Sequence, residues 1–461
     1  MKKKEIQIRK KKFLADTVTP VGIYLKIRDR FANSILLESS DYHGAENSFS
    51  YICCKSLATF RSDGNKITTT VLDTIREENG NPLHSLKEFA SSFSYQPSSH
   101  KPIETGLFGY MSYNAVQHFE DVRISGDEND IPEIRYTLFQ YIIALDHFKN
   151  EGYLIESYFE EPDEEEFNEI FDLINQQSIP HFSFRNTSSV RSDMSDEEYK
   201  EAVRSGIRHC EIGDVFQVVF SRKFNTDFKG DEFQVYRALR SINPSPYLFY
   251  FDYGSYKLFG SSPEAQIVVN RDEAIIHPIA GTFKRTGDDI ADAELAKKLL
   301  DDPKENAEHI MLVDLARNDL SKNTSEVKVE TYKEIQYFSH VIHLVSKVTG
   351  RLESDSDPLQ IMANTFPAGT LSGAPKIKAM ELIDRYEKSS RGYYGGTIGF
   401  MDFSGIINHA IMIRTFMSNA NKLTYRAGAG IVSKSEPENE LKEVYNKVAA
   451  LNKALEVAEK I

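Results

Sequence analysis

The chain has 461 residues, of which 40% are hydrophobic and 27% charged, and 69 acidic against 55 basic side chains give a net charge of -14. This length predicts a large core and two or three domains. The negative charge argues against a nucleic-acid partner held by general electrostatics, although it leaves a local basic patch open. No apolar run is long enough for a membrane span or a secretion signal, so we expect a cytoplasmic protein. The three cysteines form no metal or disulfide pattern.

The first part of the chain alternates short apolar runs with polar turns, which predicts strands. These runs are Ser34–Leu37, Leu107–Ser112 and Tyr136–Leu145. The acidic run Glu160–Glu166 is typical of the start of a solvated helix rather than of a metal site. A polar stretch from Asn175 to Ser189 indicates a linker. We therefore place an N-terminal accessory region at 1–185 and a second domain at 190–461.

The second domain begins with a helix capped by Ser195 and ended by Gly213. The run Val215–Phe220 has the pattern of a buried strand with one polar member, Gln217. Further strands are predicted at Tyr247–Phe251, Ala265–Val269, Gly396–Met401, Ala410–Thr415 and Leu423–Ala427. Helices are predicted at Ala291–Leu300, Pro303–Asn318, Pro375–Tyr386 and Pro437–Glu459. Neighbouring strands with helices grouped between them favour a mixed sheet architecture over strict alternation.

The helix at Pro303–Asn318 has a well-defined start, because Asp302 is a good N-cap and Glu305 stands at the capping-box position. Glu305, Glu308, His309 and Leu312 fall on one face, and the remaining surface is mostly apolar, so we expect a buried helix. A buried Glu308 needs a cation, hydrogen bonds or a metal. The alternative is that Glu305 only caps the helix and Glu308 meets a nearby lysine or arginine.

The last predicted helix carries a second carboxylate pair. Glu440, Glu443 and Lys447 lie on one of its faces, and a surface ion pair between Glu443 and Lys447 is the simpler interpretation. Two helices that each bear paired glutamates can also supply an all-oxygen Mg²⁺ site, since Mg²⁺ takes one or two carboxylates together with an anionic substrate group.

Three glycine segments could bind anions, although each is also compatible with a plain turn. Gly369–Pro375 contains Thr370 and is predicted to open a helix, whose N-terminus could hold a carboxylate. Arg426–Gly430 allows close backbone approach, and Arg414 could bind an anion bidentately. Gly392–Gly396 offers Tyr394 as a hydrogen-bond donor.

Several motifs occur in a fixed order: Gly260–Glu264, Pro278–Thr282, Glu305–Asp319, Gly369–Lys376, Arg391–Gly396, Ala427–Val432, and then Glu440 with Glu443. This series resembles that of the chorismate-utilising enzymes and covers residues 190 to 461. The resemblance implies an α+β fold in which mixed or antiparallel sheets pack as a sandwich with helices outside. It also implies a lyase that uses Mg²⁺ to convert chorismate and ammonia to anthranilate and pyruvate in tryptophan biosynthesis.

The resemblance further implies roles for individual residues. Glu308 and Glu443, assisted by Glu305 and Glu440, are expected to hold Mg²⁺ against the ring carboxylate of chorismate. Arg414 and Tyr394, with the amides of Gly428, Ala429 and Gly430, are expected to bind the enolpyruvyl carboxylate. Glu264 is expected to protonate the leaving C4 hydroxyl, and His343 to accept or position the C2 proton, although a satisfied core histidine stays open. The remaining expected site residues are Thr370 and Gln217 near the chemistry, and Ala280, Gly281, Thr282, Gly369 and Lys447 on the substrate.

Two positions discriminate among the branches of this family. Isochorismate and salicylate synthases place a water-activating lysine where this chain has Gln217, and a neutral amide cannot act as that base. Aminodeoxychorismate synthases commonly carry a nucleophilic lysine in place of Ala280. The para-aminobenzoate branch remains the alternative, since some of its members lack that lysine, and a non-catalytic tryptophan-binding regulator is a more distant one.

Two further segments resemble the tryptophan-sensing motif of the family, although a strand end and a proline-rich turn would also explain them. The residues concerned are Leu37, Glu38 and Ser39, and then Asn243, Pro244, Pro246, Tyr247, Leu248 and Phe249. We therefore expect feedback inhibition by L-tryptophan.

The chain lacks the Gly-x-Cys-x-Gly nucleophile motif of a glutaminase, so ammonia must come from solution or from a glutamine amidotransferase subunit. The family resemblance implies a heterotetramer with two copies of each chain. Ala316 and Arg426 depart from the residues that are common in the family at these positions.

Overall fold

A computed structural model describes residues 3–39, 49–97, 102–125, 131–270, 272–337, 341–353 and 356–461, without the side chains of Thr282, Lys284 and Lys304. The α-helices of these residues are α1 (Pro20–Arg28), α2 (Pro82–Ser91), α3 (Glu164–Asn175), α4 (Asp196–Glu211), α5 (Phe233–Ile242), α6 (Asp289–Asp301), α7 (Pro303–Ser321), α8 (Pro358–Thr365), α9 (Lys376–Tyr386) and α10 (Pro437–Ala458). A 3-10 helix spans Tyr113–His118.

The strands of the same residues are β1 (Lys4–Glu5), β2 (Gln7–Leu14), β3 (Ile35–Glu38), β4 (Phe49–Asp63), β5 (Lys66–Val71), β6 (Thr74–Asn79), β7 (Phe93–Ser94), β8 (Gly106–Met111), β9 (Ile134–Asp146), β10 (Glu151–Tyr158), β11 (Phe184–Asn186), β12 (Arg191–Ser192), β13 (Gln217–Gly230), β14 (Tyr247–Asp252), β15 (Tyr256–Ser262), β16 (Ala265–Asn270), β17 (Glu273–Ile276), β18 (Ile279–Lys284), β19 (Ser325–Tyr337), β20 (Val341–Arg351), β21 (Gly373–Ala374), β22 (Thr397–Asp402), β23 (Ile407–Ile411), β24 (Thr415–Asn419) and β25 (Lys422–Ile431).

The sheet has two arms that meet at β4 and β9, which pair antiparallel from Phe49 opposite Asp146 to Ser62 opposite Ile134. The first arm continues from β4 through β3, β14, β15, β24 and β25 to β13. The second arm continues from β9 through β8, β22, β23, β16 and β17 to β20, which also pairs with β18 and β19. The pairing is antiparallel throughout both arms. Strands of the N-terminal region are hydrogen-bonded into each arm, β3 into the first and β8 into the second.

The two arms pack face to face around an apolar core. Phe249 and Leu258 of the first arm share this core with Phe108 and Ile398 of the second. Helices cover the outer faces: α1, α3, α4, α5 and α10 pack on the first arm, and α2, α7 and α8 on the second. This arrangement confirms the predicted α+β sandwich with helices outside. In the described part of the chain, no helix combines the length and the apolar character needed to cross a membrane.

Helix starts agree closely with the sequence predictions. Ser195 and Glu198 form a reciprocal capping box at α4, and the Asp302 carboxylate accepts a hydrogen bond from the Glu305 amide at 3.1 Å. The expectation that the Pro303 helix is fully buried was wrong. Its inner face packs on β18, β19 and β20, but Ile310 is 45% exposed because the opposite face meets solvent.

The predicted strand Ala410–Thr415 was also wrong, because it is two strands separated by a break. β23 ends at Ile411 and belongs to the second arm, whereas β24 begins at Thr415 and belongs to the first. Arg414 lies in the break with φ of 49°. The chain passes from the second arm to the first at this break.

Candidate active site

Two crossings between the arms form the centre of the site. Glu264 lies between β15 of the first arm and β16 of the second, and Arg414 lies in the return crossing between β23 and β24. Backbone hydrogen bonds tie the crossings together, since the Ile411 amide donates to the Glu264 carbonyl at 3.0 Å and the Ser261 amide to the Arg414 carbonyl at 3.2 Å. Residues 150 positions apart in sequence are thereby held next to each other.

Glu264 has the properties of a proton donor near neutral pH. Burial raises the pKa of its carboxyl to about 7, while a hydrogen bond from Thr370 and the charges of Lys447 and Arg414 oppose the rise. The Thr370 hydroxyl donates to Oε1 of Glu264 at 3.1 Å, which fixes the carboxyl group. The sequence named both residues as candidate site residues but did not predict this hydrogen bond.

His343 on β20 lies beside Gly281 on β18. Its Nδ1 donates a hydrogen bond to the Gly281 carbonyl at 2.9 Å, and because a carbonyl only accepts, Nε2 carries the lone pair. Burial lowers the pKa of His343 and the Arg414 charge lowers it further, although the Gly281 bond opposes this. The imidazole is therefore neutral and able to accept a proton at Nε2.

Gly281 lies within β18 and is in close proximity to the start of α7. It has φ of +68°, and a Cβ at this position would lie 3.2 Å from Oε2 of Glu305 and would overlap Leu299. Glu305 thus lies against the Gly281 backbone, as expected for a residue of the site, and Ala280 beside it is buried. The side chain of Thr282 lies outside the described residues.

Lys447 lies where the carboxylates of α7 and α10 converge. Its Nζ is 2.7 Å from Oε1 of Glu443 and donates to the Gly428 carbonyl at 2.9 Å. Burial acts to lower the pKa of Lys447, but the charges of Glu443 and Glu308 raise it overall. The side chain is 46% exposed, so water reaches it. The predicted ion pair of Glu443 and Lys447 is present.

The acidic residues fit Mg²⁺ as an ion shared with a substrate. Glu308 on α7 and Glu443 on α10 are both near enough to Lys447 to raise its pKa, and Glu440 is buried one turn from Glu443. Hard carboxylate oxygens are the donors that Mg²⁺ prefers. No three His, Cys, Asp or Glu side chains within the described ranges are close enough to hold a metal by themselves. An ion there would use one or two carboxylates and complete its shell with water and substrate oxygens, as is usual for Mg²⁺.

The strand β25 brings its glycines against β13. Gly430 pairs opposite Val219 and Gly428 opposite Ser221, with buried Ala429 between them. A Cβ at Gly430 would overlap the amide nitrogen of Gln217, so a larger residue here would displace the end of the Gln217 side chain. Gln217 is buried, and its Oε1 has no hydrogen-bond partner within the described residues. An unpaired buried acceptor is costly, which makes this oxygen a candidate contact for a ligand.

Tyr394 is buried beside Arg391 and Lys447. Burial raises the pKa of its hydroxyl, although those two charges oppose the rise, so the phenol keeps its proton and can donate a hydrogen bond. Arg391 holds the wall behind it, donating to the carbonyls of Leu371 at 2.6 Å and Val219 at 2.7 Å. The sequence indicated the Arg391 motif but not this structural role.

The Gly369–Pro375 segment leads into a helix as predicted, since Pro375 is the N-cap of α9. Within the segment, Gly373 and Ala374 form β21 and pair with β13. Gly369 packs so closely on Leu315 of α7 that a Cβ would overlap it. Arg426, which opens the second glycine segment, is buried and forms an ion pair with Glu387 at 2.9 Å.

The two segments predicted to sense tryptophan lie side by side, although about 200 positions separate them in sequence. β3 pairs with β14, with Leu37 opposite Phe249 and Glu38 opposite Leu248. The buried Glu38 carboxylate accepts hydrogen bonds from the Tyr236 hydroxyl at 2.6 Å and from Nε of Arg240 at 3.0 Å. Asn243 precedes β14 and hydrogen-bonds Arg414 at 3.2 Å. Of the remaining predicted members, Ser39, Pro244 and Pro246 flank these strands, and Tyr247 is the first residue of β14.

Comparisons with known proteins agree with this geometry. The family model for chorismate binding enzymes matches residues 33–453. Anthranilate synthase component 1 of Aquifex aeolicus is 36% identical over 97% of this chain and 94% of its own length. The Thermus thermophilus protein of the same name is also 36% identical and covers 98% of both chains.

Solved structures give the same result. Anthranilate synthase component I from Streptococcus pneumoniae superposes with a TM-score of 0.80 at 29% identity, covering 95% of this chain and 98% of the other. The menaquinone-specific isochorismate synthase of Escherichia coli shares the fold, with a TM-score of 0.76 at 18% identity over 98% of this chain and 95% of its own. The chain belongs to the chorismate-binding enzyme family and, within it, to the anthranilate synthase component 1 proteins.

Proposed function

We propose that this chain uses Mg²⁺ to convert chorismate and ammonia to anthranilate and pyruvate, with ammonia supplied by a partner glutaminase subunit. The observation that carries the proposal is Glu264, a carboxyl group whose pKa is raised to about 7 and which is fixed by Thr370. It lies at the junction of the two arms, where the cationic side chains of Lys447 and Arg414 are close enough to affect its pKa.

Chorismate is a dianion, and the site offers cationic groups on two sides. Arg414 binds the enolpyruvyl carboxylate together with the Tyr394 hydroxyl and the backbone around Gly428 to Gly430. Lys447 lies next to Glu443 and Glu308, where it meets the ring carboxylate. When bound there, Mg²⁺ would be held by Glu308 and Glu443 and would neutralise the ring carboxylate.

The first step forms a C–N bond and breaks a C–O bond. The ammonia nitrogen attacks C2 of the ring, the double bonds shift, and the C4 hydroxyl leaves as water after Glu264 gives it a proton. The nitrogen then loses one proton to solvent and becomes a neutral amine. Gln217 carries an amide rather than a base, so it does not deprotonate water as a competing nucleophile.

The second step removes pyruvate and makes the ring aromatic. His343 accepts the proton from C2 at Nε2, its C–H electrons form the ring double bond, and the C3–O bond breaks. The enolpyruvate that leaves takes up a proton at its methylene carbon and becomes pyruvate. The Gly281 carbonyl holds the imidazole in the tautomer that this step needs.

Two regulatory and assembly features complete the proposal. The paired strands β3 and β14 form the binding site for tryptophan, which acts as a feedback inhibitor, and the glutaminase partner forms a heterotetramer with two copies of each chain. Addition of tryptophan is expected to inhibit turnover and to raise the melting temperature of the protein. If it did neither, the inhibitor site would be refuted.

The deciding experiment incubates the purified chain with chorismate, MgCl₂ and an ammonium salt at mildly alkaline pH. Anthranilate is identified by its fluorescence and chromatographic retention, and pyruvate by a coupled lactate dehydrogenase assay. We expect equal amounts of the two products. Formation of 4-amino-4-deoxychorismate would place the chain in the para-aminobenzoate branch, and formation of isochorismate would show that water is the nucleophile.

A further inference from the structure

The geometry points to Asn243 as the residue that positions Arg414 for binding the substrate carboxylate, an inference that rests on the proposed role of Arg414 in chorismate binding. Nη1 of Arg414 donates to Oδ1 of Asn243 at 3.2 Å across 171 positions of sequence. Among the described residues, the Arg414 guanidinium makes this one hydrogen bond. It leaves the rest of the planar fork available to a carboxylate.

The orientation of the Asn243 amide is determined by its other contacts. Its Nδ2 is 3.5 Å from the Ser261 carbonyl and donates to Oγ of Ser261 and of Ser245, each at 3.3 Å. A carbonyl oxygen only accepts, so the nitrogen must face Ser261 and the oxygen must face Arg414. Oγ of Ser261 donates in turn to the Asn243 carbonyl.

The backbone of Arg414 needs this support, because its φ of 49° lies in the left-handed region that non-glycine residues rarely adopt. Ser261 therefore holds both ends of the arrangement: its amide donates to the Arg414 carbonyl, and its hydroxyl and carbonyl bind Asn243. Asn243 itself does not carry charge and does not donate to Arg414. It acts on the substrate only by directing the guanidinium.

The test measures chorismate binding separately from turnover. Calorimetric titration of chorismate with Mg²⁺ but without ammonia gives Kd, and the anthranilate assay gives kcat and KM. Asn243→Ala is expected to raise Kd and KM by about tenfold, since about 1.4 kcal/mol corresponds to a factor of ten, with kcat changed by less than about threefold. Ser241→Ala is the matched control, because the Ser241 hydroxyl donates to the Ala238 carbonyl rather than to Asn243 or Arg414, and it should bind chorismate as the wild type does.

A double-mutant cycle separates positioning from general destabilisation. Arg414→Lys removes the guanidinium that Asn243 directs, so Asn243→Ala should add almost nothing to Kd in that background. If Asn243→Ala does not fold, the near-isosteric Asn243→Asp takes its place, and its carboxylate should raise Kd by pairing with Arg414. An unchanged Kd in the variant used, or equal effects in both backgrounds, would overturn the inference. A wild-type chain that binds chorismate but forms no anthranilate would refute the proposed reaction alone.

Discussion

Replacing Glu264 by glutamine should abolish most activity and, at alkaline pH, stabilise the protein. Burial raises the pKa of this carboxyl to about 7 from an ordinary value of 4.5. Between pH 4.5 and about pH 7, Glu264 has lost its proton in the unfolded chain but keeps it in the folded chain. The free energy of unfolding therefore falls as the pH rises through this range, and it levels off above the folded pKa. The difference of about 2.5 pH units corresponds to about 3 kcal/mol, reduced to about 2 kcal/mol because water reaches the partly exposed carboxyl.

The Glu264→Gln variant has no group to ionise at this position and escapes that loss. Urea unfolding at about pH 5 and about pH 8 measures the free energy of unfolding of the variant and of the wild type. The value for the variant minus that for the wild type should be about 2 kcal/mol larger at the higher pH. The exposed control Glu211→Gln should show no such rise, while kcat of Glu264→Gln should fall by about 10² to 10⁴. An equal stability difference at both pH values would refute the raised pKa, and a wild-type kcat would refute the assignment of the acid.

Three further outcomes follow from the site. His343→Gln keeps a hydrogen-bonding group but not the base, so kcat in the anthranilate assay should fall by about 10² or more while KM changes little; an unchanged kcat would leave His343 as a core residue. Gly430→Ala places a methyl group on the Gln217 amide and should cost about 1 to 3 kcal/mol in thermal or urea unfolding, whereas Gly80→Ala, which makes ordinary contacts, serves as the control that should cost less. Glu443→Gln should raise the MgCl₂ concentration needed for half-maximal rate by about tenfold, and an unaltered Mg²⁺ dependence would exclude Glu443 as a ligand.

Local signals predicted the helix starts well. The caps at Ser195 and Asp302 depend on two or three neighbouring residues, so the sequence contains all the information that they need. The short helices α1, α5 and α8 were not predicted, because their apolar residues do not separate cleanly from the pattern of the flanking strands. Tertiary packing rather than local preference decides such segments.

Long-range features were predictable only in part. The run around Ile411 and Ile413 looks like one continuous strand, because the change from one sheet arm to the other depends on partners far away in the chain. The ordered motifs named the candidate site residues, including Glu264 and His343. They could not show that Lys447 would meet carboxylates from two helices, or that Asn243 would reach Arg414.

The pairing of N-terminal strands with both arms limits how this protein can be dissected experimentally. β3 covers one side of β14, and β8 covers one side of β22. A fragment that began near residue 190 would expose the backbone donors and acceptors of both strands, which are templates for intermolecular pairing and aggregation. Separation of catalysis from effector control should therefore rely on point substitutions in the intact chain, since loss of activity in a shortened fragment would report misassembly rather than the removal of a regulatory element.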